Sequence, residues 1–318
     1  MQFRRAVVIG AGVSGLTTAL ALRKLGLEVT ILAELLPPQT TSQVAAAFWY
    51  PYLVEPAEKA SRWGEVSYHQ FERLAADPAS GILLRPLRVL FQKPVSLPAW
   101  SHYVQGFTWL SPQEIPSGFY SGYRLLTSVI EMPIYLAYLQ QQLATSGVHI
   151  RQAKLTSLND AQLDSADVII NCTGLGARML CHDQSMFPVR GQILAGQGIP
   201  TEELTFCPEP EAGPIYIVPR SHDCIVGGTS EASDDLTPRS QTSDAIWDRA
   251  LKIQPTLSSL SQLVPRVGLR PCRTQVRLEA EKTSSGKLVI HNYGHGGGGV
   301  TLSWGCAKEV TELILSAS

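Results

Sequence analysis

The 318-residue chain has no surplus of either charge: 26 lysines and arginines face 27 aspartates and glutamates, for a formal net charge of −1. With no basic block along it, nucleic acid is not expected as a partner. No uninterrupted apolar run reaches the roughly 18 residues of a membrane span, so no membrane partner is expected either. The six cysteines (172, 181, 207, 224, 272 and 306) form no CxxC pair. A chain this long needs no disulfide framework, so reduced thiols are the default. A bridge such as Cys224 with Cys272 cannot be argued from spacing. No internal repeat or low-complexity tract is evident. Arg4-Arg5 before an apolar stretch resembles a signal peptide, but glycines interrupt that stretch. The terminal Ser-Ala-Ser is not a peroxisomal address of the Ser-Lys-Leu kind. A cytoplasmic globular protein with a sizeable core is the expectation.

What is present begins at residue 10. GAGVSG follows the apolar run Ala6-Val7-Val8-Ile9 directly. It reads as strand, glycine turn and helix, with Gly10, Gly12 and Gly15 at dinucleotide-fold spacing. Gly10 permits the tight turn, Gly12 lets backbone approach a pyrophosphate, and Gly15 lets helix and strand pack closely. The pyrophosphate then meets free N–H groups and the positive end of the helix dipole. The helix stops near Gly26, and the alternating strand LEVTILAE ends in Glu34. That acid falls near where an adenosine ribose should be held.

Further along, RWGEVSYHQFERLA and IYLAYLQQQLATSG read as helices, and residues 82–110 as strands broken by prolines. VHIRQAKL, SADVIINCTGLGA, PVRGQILA, PIYIVPR, DCIVGGT and KLVIHNYG read as strands. DAIWDRALKI and VTLSWGCAKEVTELIL read as helices. The class is α/β (α+β), with a discontinuous Rossmann-like nucleotide domain and a β-rich second domain. The expected boundaries are 1–52, 140–190 and 265–318 for the first, and 53–139 and 191–264 for the second.

Three separated segments converge on the nucleotide: GAGVSG, VIINCTGLGA and HNYGHGGGGV. The last places Gly296, Gly297, Gly298 and Gly299 directly before a helix. In a flavin site such bare N–H groups would stabilise negative charge near N1 and the C2 carbonyl of the reduced ring. His291 and His295 are four apart, but Tyr-Gly-His-Gly-Gly is no helix and no carboxylate or cysteine clusters nearby, so no metal is expected.

The chain resembles the D-amino acid oxidases of the D-amino acid oxidase/glycine oxidase superfamily. VVIGAGVSGL, TTSQVAAAFWYPY, DVIINCTGLGA, PVRGQI, YIVPR, VGLRPCRTQVRLE and HNYGHGGGGVTLSWGCA carry the resemblance, from residue 7 to 307. It implies a non-covalent FAD at the interface of two domains. The implied reaction is hydride transfer from the Cα of a D-amino acid to flavin N5, giving an imino acid that hydrolyses to a 2-oxo acid and ammonia. O2 then reoxidises the flavin and yields H2O2. By the family pattern, FAD contacts fall on Ala11, Gly12, Val13, Ser14, Glu34, Thr40, Thr41, Ser42, Ala46, Ala47, Phe48, Leu155, Thr173 (beside Gly174) and the 296–301 loop with Val300 and Thr301. Substrate contacts fall on Tyr216, Arg270 and the backbone of Gly297. A guanidinium suits a substrate carboxylate because it is always charged and binds in a fork. Members of the family are often dimers, and a homodimer is the corresponding expectation.

The chain departs from that pattern in four places. Vertebrate members carry a lid tyrosine where this chain has Cys207-Pro-Glu-Pro-Glu-Ala-Gly-Pro, so a stiffer or absent lid is expected. Gly298 replaces a tyrosine. Leu35 replaces an arginine after the acid, which puts one adenosine contact in doubt. Ser230 follows Gly-Gly-Thr where D-aspartate oxidases have arginine. Without that cation a second substrate carboxylate would be buried unpaired, so neutral, apolar substrates are favoured. Phe48, Trp49, Tyr50 and Tyr52 are candidates for an apolar pocket wall, Tyr52 among them as a substrate contact. A glycine or sarcosine type oxidase, a D-aspartate oxidase and a flavin dehydrogenase with another acceptor stay open as alternatives.

Overall fold

The computed structural model describes residues 3–51, 54–208, 213–283 and 286–317. The chain opens with β1 (Arg5–Ile9), α1 (Val13–Lys24) and β2 (Glu28–Ala33). Then come α2 (Ala57–Leu74), β3 (Ile82–Phe91), β4 (Thr108–Trp109), β5 (Ser121–Ile130) and α3 (Met132–Thr145). The middle holds β6 (His149–Gln152), β7 (Val168–Asn171), the single-turn α4 (Ala177–Leu180), β8 (Phe187–Gln197) and β9 (Leu204–Cys207). Next follow β10 (Ile215–Pro219), β11 (Asp223–Gly227) and α5 (Ser240–Ile253). The long β12 (Ser261–Lys282), β13 (Leu288–His295) and α6 (Gly299–Ser316) close the chain.

These strands form one sheet in the order β4-β5-β3-β9-β10-β11-β8-β12-β13-β7-β1-β2-β6. β13, β7, β1, β2 and β6 run parallel. Parallel strands are buried on both faces, which is why β1 and β7 are nearly continuous apolar runs. Successive side chains feed opposite layers: Val8 and Ile170 join the main core, while Val7, Ile9 and Ile169 join a second cluster with Leu163 and Leu180. Beyond β12 the pairing is antiparallel, apart from the parallel contact of β3 with β9.

The 22-residue β12 joins the two halves. Its first part pairs with β8 up to Cys272–Phe187, and its last part pairs with β13 from Arg277–Tyr293. At Cys272 it meets both neighbours, since Cys272 also pairs with His295. The sequence reading did not anticipate this strand. Pro265 and Pro271 argue against a central strand. Both lie where β12 pairs with β8 alone among the described residues, so each can turn its missing N–H to the unpaired edge. Its burial pattern also lacks alternation over the first half. β5 and β9 were likewise unanticipated, and of GFTWLSP only Thr108–Trp109 is strand.

Candidate active site

The ends of the parallel strands gather three glycine-bearing turns. After β1, Gly10 has φ +111, and a Cβ there would lie 2.4 Å from the carbonyl oxygen of Cys172. Only glycine fits both the dihedral and the space. A Cβ on Gly15 would lie 2.0 Å from the Gly10 carbonyl oxygen, so α1 is drawn tight against the turn. Gly12 caps α1 and offers no side chain, and no acidic residue occupies the first turn. The Val13 N–H donates to Ser42 Oγ at 3.0 Å. This helix end is open to an anion.

After β13 the chain repeats the device. Gly296–Gly298 form a single 3-10 turn, and α6 starts at Gly299 with Gly298 as its cap, again without a side-chain cap or a first-turn acid. α6 lies beside α1, where Thr17 Oγ1 donates to the Ser303 carbonyl at 3.3 Å, and β13 is tied to α1 by Asn292 Nδ2 donating to Thr18 Oγ1 at 3.1 Å. Both N-termini therefore lie at the carboxyl edge of the parallel strands, where open α/β sheets bind ligands. The third turn follows β7: Thr173 donates its N–H and its hydroxyl to Asn171 Oδ1 at 3.2 and 2.7 Å.

Other sequence candidates take definite places. Thr40 Oγ1 is buried with no hydrogen-bond partner among the described residues. Glu34, just past β2, is exposed and pairs with Lys154 at 2.6 Å, adjacent to Leu155. Thr301 Oγ1 is engaged by the backbone of Tyr50, accepting from its N–H at 3.3 Å and donating to its carbonyl at 3.2 Å. Ala47 and Phe48 are fixed on β5: the Ile130 N–H donates to the Ala47 carbonyl at 2.9 Å, and Phe48 bridges Val129. Ala11 and Val300 are buried, Ser14, Ala46 and Gly174 half-buried, and Thr41 exposed. Tyr52 and residues 209–212 of the expected lid lie outside the described residues. All six cysteines are free thiols.

Arg270 and Gly297 come together because of the strand register, and the Tyr216 side chain of β10 reaches the Arg270 guanidinium. Arg270 stands two residues before Cys272, and Gly297 two residues after His295, the pair at which β12 and β13 touch. A Cβ on Gly297 would lie 3.7 Å from Arg270 Cδ. The Arg270 guanidinium lies over Gly191 of β8, where a Cβ would be only 2.5 Å from Nη1 and 2.6 Å from Nη2. Nη1 donates to the Thr229 carbonyl at 3.0 Å and, more weakly, to the Arg190 carbonyl at 3.4 Å. Among the described residues no carboxylate pairs with Arg270. Tyr216 lies over Gly227 and Gly228, where a Cβ would approach its ring or hydroxyl to 2.1 and 2.4 Å. Burial pushes the Tyr216 hydroxyl pKa up, and the neighbouring Arg270 partly offsets this.

Phe48 and Phe206 flank Tyr216, each with a ring centroid 6.5 Å away, and Tyr50 packs on Phe206 at 5.0 Å. The site is thus a guanidinium and a phenol seated on glycines, with aromatic walls and a bare glycine turn. Sequence reasoning missed the glycines beneath the two side chains, the Thr229 carbonyl and Phe206. Gly191 and Gly227 were visible within PVRGQI and GGT, but only the pairing of strands shows what rests on them.

The family description "FAD dependent oxidoreductase" matches residues 5–313. A D-amino-acid oxidase of Rubrobacter xylanophilus is 45% identical, over 98% of this chain and 96% of its own. A D-amino-acid oxidase of Dictyostelium discoideum is 35% identical, over 97% of this chain and 90% of its own. Among solved structures, glycine oxidase from Bacillus cereus superposes with a TM-score of 0.79 over 100% of this chain and 96% of its own, at 16% identity, a likeness of fold.

Proposed function

The chain belongs to the FAD-dependent oxidoreductase family, and from that premise we propose that it is a D-amino-acid oxidase acting on neutral, apolar D-amino acids. The observation that carries the reading is Arg270: a half-buried guanidinium oriented by carbonyls, paired with no carboxylate among the described residues, beside a buried phenol and the Gly297 turn.

The residues present fit FAD. Two open helix N-termini, the close approach at Gly10 and Gly15 and the buried Thr40 hydroxyl, without a partner among the described residues, suit a pyrophosphate cofactor. Gly10 through Gly15, Ser42, Thr40 and Thr173 would hold its phosphate and ribose portions, Glu34 its adenosine end, and Gly296–Thr301 its ring. When bound, FAD supplies the two-electron acceptor for oxidation of a Cα–N bond.

The protein's own part is binding and orientation. Arg270 takes the substrate carboxylate in a charge-assisted fork. Tyr216 adds a hydrogen bond to the same group, and its raised pKa keeps it a neutral donor. The Gly297 carbonyl accepts from the amino group. Three contacts fix the Cα–H direction, which is the dominant requirement where no protein base takes part. Phe48, Phe206 and Tyr50 exclude water and offer nothing to a side-chain charge. Ser230, rather than a cation, follows Thr229, which supports neutral over acidic substrates.

The reading includes O2 as acceptor, with hydrogen peroxide, a 2-oxo acid and ammonia as products. Free thiols suit a cytoplasmic location. The division into 1–52, 140–190 and 265–318 against 53–139 and 191–264 is supported by the change from parallel to antiparallel pairing at β12.

The test is the absorption spectrum of the purified flavoprotein without oxygen. D-alanine should bleach it and L-alanine should not, and air should restore the colour with release of peroxide. A spectrum that D-alanine, D-valine and D-methionine all leave unchanged refutes the reading. Faster bleaching by glycine than by D-alanine would move it to the glycine oxidases.

A further inference from the structure

Among the described residues, Arg190 is the one charged residue in the set of largest fully buried side chains, with 0% exposure. It sits on β8, in register with Leu269, next to Arg270 on β12. Its guanidinium donates to the backbone carbonyls of Asp235 at 2.9 Å and Thr237 at 2.8 Å, and to Gln192 Oε1 at 2.7 Å. The Glu231 carboxylate stands 3.4 Å away. The backbone N–H and carbonyl of Arg190 also pair with Glu231, at 2.7 and 3.0 Å. Arg190 thereby fastens the segment 229–239 to β8.

That segment begins at Thr229, whose carbonyl holds Arg270 Nη1 at 3.0 Å. The Thr229 hydroxyl accepts from the Gln192 N–H at 2.9 Å. The second acceptor of the same Arg270 nitrogen is the carbonyl of Arg190 itself. Burying a cation is costly unless its donors are satisfied. An apolar side chain could fill the space, but only a planar fork can tie several carbonyls of a turning segment at once.

We propose that Arg190 is a positioning residue for the substrate carboxylate. Through the 229–239 segment it fixes the two carbonyls that aim the Arg270 guanidinium. It touches neither substrate nor cofactor. The identity of the ligand rests on the oxidase reading above.

The test compares the FAD-loaded wild type with Arg190→Lys, which keeps the charge but not the fork. KM for D-alanine should rise about tenfold and kcat should fall with it, since the contact that binds the carboxylate also aims the Cα–H. The dissociation constant of propionate, a carboxylate without an amine, should rise in parallel when read from the flavin absorbance. In an Arg270→Ala background, adding Arg190→Lys should change either quantity less than about twofold, because the effect passes through Arg270. Unchanged KM and propionate affinity in folded Arg190→Lys overturn the proposal, as does an equal effect without Arg270. If Arg190→Lys does not fold, Glu231→Gln replaces it. Its carboxylate is 34% exposed, and it should give a smaller shift in the same direction; no shift overturns the proposal. A wild type that binds propionate through Arg270 but oxidises no D-amino acid would sink the oxidase reading alone, and the propionate titrations would still decide the role of Arg190.

Discussion

Gly191→Ala is the most direct probe of how Arg270, the proposed carboxylate clamp, is seated. A Cβ at residue 191 would lie 2.5 Å from Arg270 Nη1, 2.6 Å from Nη2 and 2.7 Å from Cζ, whereas ordinary contact begins at 3.4 Å. The guanidinium must retreat by about 0.9 Å, the difference between 3.4 and 2.5. The obstructing atoms are the tip of a flexible side chain, and Gly191 has no positive φ, so the fold should absorb the methyl. What cannot absorb it is the fork, since the Thr229 bond at 3.0 Å stretches as the plane lifts. A displacement of about 1 Å in a positioning group costs up to about 100-fold. We expect kcat/KM for D-alanine to fall about 10- to 100-fold, roughly 1.4–2.8 kcal/mol, with Tm shifted by no more than a few degrees. Steady-state peroxide release and thermal unfolding measure both. Arg270→Lys removes the plane that clashes, so it should cost less in the Gly191→Ala background than in wild type. A kcat/KM within about twofold of wild type would refute the seating of Arg270 on Gly191 in the substrate complex.

Other outcomes follow from the same geometry. Arg270→Ala should raise KM about 30- to 5000-fold, the cost of about 2–5 kcal/mol for removing one partner of a charge-assisted pair, while equilibrium dialysis shows FAD retained; retained substrate affinity would remove Arg270 from the site. Tyr216→Phe deletes one hydrogen bond worth about 1 kcal/mol, so KM should rise several-fold with Tm unchanged; a KM at the wild-type value would take the hydroxyl out of substrate binding. Gly15→Ala drives a methyl to 2.0 Å from backbone, the Gly10 carbonyl oxygen, so the variant should purify without flavin or unfold well below wild type; a yellow, equally stable protein would contradict the close packing. His295 is fully buried and its pKa is pushed down to about 4 by burial. Its unfolded counterpart titrates at about 6.5, so the unfolded chain binds more protons between those values. Stability present above pH 6.5 is therefore lost as pH falls toward 4, by at most about 3 kcal/mol. His295→Gln keeps a donor for Asn292 and should flatten the fall in Tm between pH 7 and 4.5; an unchanged slope would place the proton elsewhere.

The nucleotide half of this protein was legible because each of its devices is local. A glycine behind four buried apolar residues specifies a turn whatever lies elsewhere, and Gly10 and Gly15 are where close approach demands them. The glycine run before α6 reads the same way. The other half depends on register, which no local pattern announces. β12 looks like a loop in sequence because Pro265, Gly268 and Pro271 punctuate it and its flank is exposed. Its pairing with β8 alone over that stretch is what makes those residues tolerable.

That same strand carries Arg270. Arg270 could be nominated as a carboxylate ligand from its residue type and its surroundings in VGLRP. Its aim could not be nominated, because the aim comes from residues 80 and 41 positions away in sequence, Arg190 and Thr229. Tyr216 follows the same logic, held over glycines on the neighbouring strand. The glycines of PVRGQI and GGT are thus not spacers: each removes a Cβ that would displace Arg270 or Tyr216. A substitution that leaves every contacting side chain intact, such as Gly191→Ala, should therefore impair the enzyme more than Tyr216→Phe, which deletes a contact outright, and the two kcat/KM values compared directly decide it.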